Sequence, residues 1–105
     1  MQQDSSSPLP GTELASLEVG VTGRVQGVGF RYFAHETARR LRLTGYVRNL
    51  RDGGVRAYAE GPRDSLKEFL RLMHEGPPGS RVHDLRATWG SATGQYSTFS
   101  IERTL

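Results

Sequence analysis

Apolar and polar positions alternate along Leu17-Glu-Val19-Gly-Val21, the pattern of a half-buried β-strand, and then give way to a glycine-rich stretch from Gly23 to Gly29. From Phe30 the period changes. Phe30, Phe33, Ala34, Ala38 and Leu41 recur at spacings of three and four, which sets them on one helical face and predicts a helix that ends near Leu43, before Gly45. Two short runs of strand formers follow, Gly45 to Leu50 and Val55 to Ala59. They are joined by Arg51-Asp-Gly-Gly54, where Asp-Gly-Gly supplies the positive φ of a tight hairpin turn. After Gly61, Pro62 suits a first helical turn, and Leu66, Phe69, Leu70 and Met73 form a second apolar stripe that Gly76-Pro-Pro78 stops. Val82, Leu85, Ala87 and Trp89 then predict a strand with a bulge or register break, and Thr98 to Ile101 alternates again.

Strand, helix, hairpin, helix, strand is the order of a split βαβ, ferredoxin-like α+β sandwich (βαββαβ): an antiparallel sheet with two helices on one face, and here room for one extra short strand. The segment before Leu17 has no such periodicity. Met1 to Ser16 is polar and rich in Ser, Pro and Gly, so residues 1–16 are expected to be a disordered tail and residues 17–105 the domain.

Composition narrows the class without changing this outline. The 105 residues are 35% hydrophobic and 24% charged, ordinary for one soluble domain, which at this size buries roughly 65% of its unfolded surface. With no Cys, the chain has neither disulfides nor thiolate metal sites; the expected location is the cytoplasm. No run approaches the roughly 20 apolar residues of a bilayer span, and the first residues lack the basic start and apolar block of a signal peptide.

Charge is lopsided. Eight Arg between Arg24 and Arg56 face only Glu36 and Asp52, a local +6 in a chain of net +3, which points to an anionic ligand for this half. Arg39, Arg40 and Arg42 are better read as a solvated helix face. The chemistry therefore centres on the strand, glycine loop and helix start. Gly lets backbone N–H groups converge there, and a helix N-terminus adds unpaired donors and a positive dipole. Val25 to Phe30 is thus a candidate cradle for a phosphate-sized group, with the guanidinium fork of Arg31 beside it. Neither a P-loop Gly-Lys-Ser/Thr nor the Rossmann spacing Gly-x-Gly-x-x-Gly is present.

Gly23-Arg-Val-Gln-Gly-Val-Gly-Phe-Arg31, followed by Gly45-Tyr-Val-Arg-Asn49-Leu-Arg-Asp-Gly53-Gly-Val55-Arg-Ala-Tyr-Ala-Glu-Gly61, closely resembles the two signatures of the acylphosphatase family, and the likeness runs from about Leu17 to Arg103. The resemblance implies a hydrolase of acyl phosphates that works without metal or other cofactor. It gives the loop amides of Val25, Gln26, Gly27, Val28, Gly29 and Phe30, together with Arg31, the task of holding the phosphoryl group. Asn49 would orient the attacking water. Its partner would be a small acyl phosphate; a monomer is expected, and neither nucleic acid nor membrane is expected as a partner. Gly29 stands where many members carry Cys, and the chain ends Glu-Arg-Thr-Leu where many members end soon after the Ile with an aromatic residue.

The remaining polar and aromatic residues read as structure. Asp52 and Glu60 are expected to be surface charges, His35 to be exposed off the apolar stripe, and His74 and His83 to be surface residues without metal-ligand pairing. Phe30 and Phe33 are expected in the core, and Trp89, Tyr46 and Tyr58 in strand packing. Gln26-Gly-Val-Gly-Phe-Arg-Tyr-Phe33 partly matches the aromatic motif of RNA-recognition domains, but it leads into a helix instead of lying on a central strand. A similar pair of signatures marks the acylphosphatase-like domain of hydrogenase-maturation carbamoyltransferases. Comparing rates on carbamoyl and acetyl phosphate separates the two readings. Nothing in the sequence grips the acyl side, so broad acyl specificity is expected.

Overall fold

The computed structural model describes residues 11–105. Its elements are β1 (Leu14–Arg24), α1 (Phe30–Arg40), β2 (Thr44–Asn49), β3 (Val55–Pro62), α2 (Arg63–Glu75), β4 (Arg81–Gly90) and β5 (Phe99–Ile101). The sheet order is β4-β1-β3-β2-β5. The first four strands pair antiparallel, and β5 adds a short parallel strand on the edge of β2. The register of β4 on β1 shifts between Thr22 and Gly23, the break that the uneven spacing of Val82, Leu85 and Trp89 implies. Among the described residues no helix is long and apolar enough to cross a membrane.

Period-two alternation decides which strand residues face the helices. Leu17, Val19 and Val21 of β1, Val47 of β2, and Val55, Ala57 and Ala59 of β3 are buried with Phe30, Ala34 and Ala38 of α1 and Leu66, Phe69 and Met73 of α2 in one cluster. The opposite face of the sheet carries Tyr46 stacked on Tyr58 at 5.9 Å, with Tyr96 against both. Trp89 lies with its ring 5.1 Å from the Arg63 guanidinium.

Several expectations need correction. β1 starts at Leu14, and Ala15 and Ser16 are buried. Asp64 and Arg63, at the start of α2, donate backbone N–H bonds to the carbonyls of Gly11 and Glu13 at 2.8 and 2.9 Å. Residues 11–16 are therefore part of the fold: polar composition concealed a strand end whose partner, Pro62, is distant in sequence. The rest of the expected tail, residues 1–10, lies outside the described residues. Phe33 is only half-buried, packed edge-on against Phe30 at 6.0 Å, and Thr37 takes the buried place on α1. His35 is also half-buried, its ring 6.3 Å from Phe99, because β5 pairs on the α1 side of the sheet.

Glu60 departs furthest from expectation. It points to the open face, where a carboxylate is normally solvated, yet it is only 5% exposed. The β4–β5 connection folds over it. Its carboxylate accepts bonds from the Thr93 N–H (2.9 Å), the Thr93 hydroxyl (2.7 Å), the Gly94 N–H (2.9 Å) and the Tyr58 hydroxyl. Burial pushes this carboxyl up, but the hydrogen bonds from Tyr58, Thr93 and Gly94 outweigh it and bring the pKa down to about 2.

Candidate active site

The glycine loop occupies the turn from β1 into α1. Gly27 and Gly29 have φ of 76° and 77°, in the left-handed region, and a Cβ at either position would meet nothing within 4 Å. Glycine is required there by backbone conformation, not by crowding. Gly29 is the N-cap of α1 and offers no side-chain cap, and the first turn contains no acidic residue. Among the described residues, no backbone N–H from Gln26 to Gly29 donates to a backbone carbonyl. The result is a set of unspent donors at the positive end of a helix dipole, a geometry suited to an oxyanion.

Two contacts bring this loop to the β2–β3 hairpin. The Gln26 side-chain amide donates to the carbonyls of Leu50 and Gly54 at 2.7 and 2.8 Å. The hairpin turn is closed by Leu50 N–H to Gly54 carbonyl at 2.8 Å and by Gly54 N–H to the Asp52 carboxylate at 2.9 Å. Tethered in this way, the loop faces the end of β2, and Val25, Gly27, Gly29, Phe30, Arg31, Tyr32, Asn49 and Ile101 line one pocket of about 270 Å³.

Arg31 and Asn49, eighteen positions apart in sequence, thus share a cavity. Arg31 makes no ion pair among the described residues. Its guanidinium makes one long contact, 3.4 Å, to the Glu102 carbonyl, which leaves most of its donors available. The Asn49 carboxamide makes no hydrogen bond within the described protein, while the Asn49 backbone carbonyl accepts from the Leu105 N–H at 3.2 Å. Of the predicted cradle residues, Gln26 and Val28 do not line the pocket: Gln26 turns to the hairpin and Val28 packs partly on the core. The tether role of the Gln26 side chain was not legible in the sequence. Tyr32 and Ile101, also missed, are exposed apolar residues on the pocket wall.

Asp52 and Glu60 do not line this pocket, and His35 lines another opening with Arg39, Arg42 and Thr98. Phe30 is buried and Phe33 half-buried on α1, so neither is set out on a strand for base stacking. Among the described residues, no three His, Cys, Asp or Glu side chains converge as a metal site.

Residues 17–101 match the family model described as acylphosphatase. An acylphosphatase from Salinibacter ruber is 48% identical over 83 residues, covering 79% of this chain and 87% of the relative. The crystal structure of acylphosphatase from Bacillus subtilis superposes with a TM-score of 0.81 at 40% identity, covering 84% of this chain and 98% of that one. That of an acylphosphatase from Coxiella burnetii gives 0.80 at 36% identity, with 86% and 94% covered.

Proposed function

Because the chain belongs to the acylphosphatase family, we propose that it hydrolyses acyl phosphates with Arg31 and the loop amides holding the phosphoryl group and Asn49 aligning the attacking water. The observation that carries this reading is the single pocket shared by Arg31, Asn49 and the positive-φ glycines.

In this mechanism the water oxygen attacks phosphorus in line with the acyl oxygen. A P–O bond forms, the P–O bond to the acyl group breaks, and the carboxylate leaves with the electron pair. The water proton passes to a phosphate oxygen or to bulk solvent. A carboxylate leaves without protonation, so the reaction needs no general acid. Positioning and neutralisation of phosphoryl charge are then the main demands. Asn is not a strong base; the Asn49 carboxamide, which has no hydrogen-bond partner among the described residues, can accept a hydrogen bond from the water and fix its direction.

The test is phosphate release from benzoyl phosphate in excess chelator, with folding of each variant checked by circular dichroism. Arg31→Ala and Asn49→Ala are each expected to lose about 100-fold or more in rate, the usual cost of removing an oxyanion donor or a positioning group. Wild-type rates in either variant would contradict the role assigned to that residue.

A further inference from the structure

Of the four apolar side chains that line the pocket, Val25 and Phe30 are buried in the core, but the catalytic reading leaves the two exposed ones, Tyr32 and Ile101, without a role. Exposed apolar side chains are ordinary when they stand singly, but Tyr32, 65% exposed, and Ile101, 44% exposed, line the same pocket. They come from elements distant in sequence. Tyr32 sits on α1 one place after Arg31, off the face that buries Phe30, Ala34 and Ala38. Ile101 ends β5, two places after the buried Phe99 and so on the same side of the sheet. Both meet at the pocket that holds Arg31 and Asn49.

Volume makes the same point. A phosphoryl group fills roughly two or three water-sized spaces of about 30 Å³, whereas the pocket measures about 270 Å³. Well over half of it is left for the group attached to the phosphate. Ligand sites commonly combine a few convergent polar groups with apolar walls.

On the premise that this is an acyl phosphate site, we propose that Tyr32 and Ile101 form an apolar rim that grips the acyl chain, so that the enzyme prefers longer aliphatic or aromatic acyl phosphates to acetyl phosphate. The polar floor fixes the phosphoryl group, and the rim removes apolar acyl surface from water, with an attraction that grows with the chain. Specificity is therefore graded by acyl size instead of being indifferent to it.

The experiment uses acetyl, butanoyl and hexanoyl phosphate, whose leaving carboxylates are chemically alike. In the wild type, kcat/KM is expected to rise by about 10-fold or more from acetyl to hexanoyl, the discrimination typical of methylenes in an apolar pocket. Tyr32→Ala and Ile101→Ser together should flatten this rise. Tyr32→Phe, which keeps the ring, should preserve it. Leu14→Ala, which removes an exposed apolar residue at the far end of β1, should not affect it. Inhibition by inorganic phosphate, which has no acyl chain, should move by less than about twofold in the rim variants. A wild-type rate that is flat across the series, or a rise that survives the double substitution, overturns the rim while leaving hydrolysis in place. Absence of turnover on every member removes the hydrolase reading and the rim with it.

Discussion

Replacing Glu60 by Gln keeps the side-chain shape and removes its charge, which separates packing from electrostatics at the one buried carboxylate identified above. The wild-type carboxyl titrates near 2 instead of 4.5. Each pH unit of separation is worth about 1.4 kcal/mol, so ionised Glu60 favours the folded state by roughly 3 kcal/mol at neutral pH. The sign follows from the direction of the shift. A depressed carboxylate pKa contributes stability that is complete above pH 4.5, the unfolded value, and disappears as pH falls through about 2. Gln also turns an N–H₂ donor toward neighbours that are themselves donors, the Thr93 and Gly94 N–H groups. Urea unfolding of wild type and Glu60→Gln, repeated from pH 7 to pH 2.5, should show a difference of about 2–3 kcal/mol at pH 7 that narrows below pH 4.5. Taking the difference cancels titration of other carboxylates. A gap of the same size at pH 7 and pH 3 would refute the electrostatic account and leave only lost geometry.

Two further predictions concern the loop. Gln26→Ala removes two hydrogen bonds, but the Leu50 and Gly54 carbonyls keep donors from Gly53 and Leu50, so the stability loss should be only about 1–2 kcal/mol. The loss in kcat should be larger in proportion, about 10-fold or more, because the tether sets the loop against Asn49; parallel thermal melts and kinetics check this, and an unchanged kcat would deny the tether a positioning role. Gly29→Ala meets no atom within 4 Å but forces an L-residue to φ 77°, so chemical denaturation should show a loss of about 1–2 kcal/mol without a packing defect.

What the sequence disclosed was whatever local periodicity and backbone conformation control. The apolar stripe of α2 reads off directly because Leu66, Phe69 and Met73 follow the helical repeat, and the hairpin reads off because Gly53, at φ 97°, occupies the turn. The bend of the loop into α1 is legible for the same reason, since the positive φ of Gly27 and Gly29 favours Gly. Long-range events were hidden. Glu60 has the alternation of an outward residue, and only the β4–β5 connection, returning from more than thirty residues away, buries it. His35 is covered by Phe99 in the same manner. The Gln26 tether and the rim of Tyr32 and Ile101 are likewise juxtapositions of distant segments, for which a single sequence has no local signal.

The end of the described chain belongs with these hidden contacts, and it clarifies how a site with so little chemical machinery is held in place. Glu102 donates its N–H to the Val47 carbonyl at 2.8 Å, Leu105 donates to Asn49 at 3.2 Å, and Arg51 donates to Leu105 at 2.9 Å. The segment after β5 thus continues along β2 past the position of Asn49. The Glu102 carboxylate pairs with Arg48 at 3.2 Å, and the Glu102 carbonyl is the atom that Arg31 touches. One short segment therefore braces the backbone of Asn49 and meets the guanidinium of Arg31, while the functional ends of both side chains stay largely open to the pocket. Where catalysis asks for alignment of water, phosphorus and donors instead of proton transfer, rigidity of this kind matters more than the acidity of any residue. It is supplied by ordinary backbone pairing at the sheet edge.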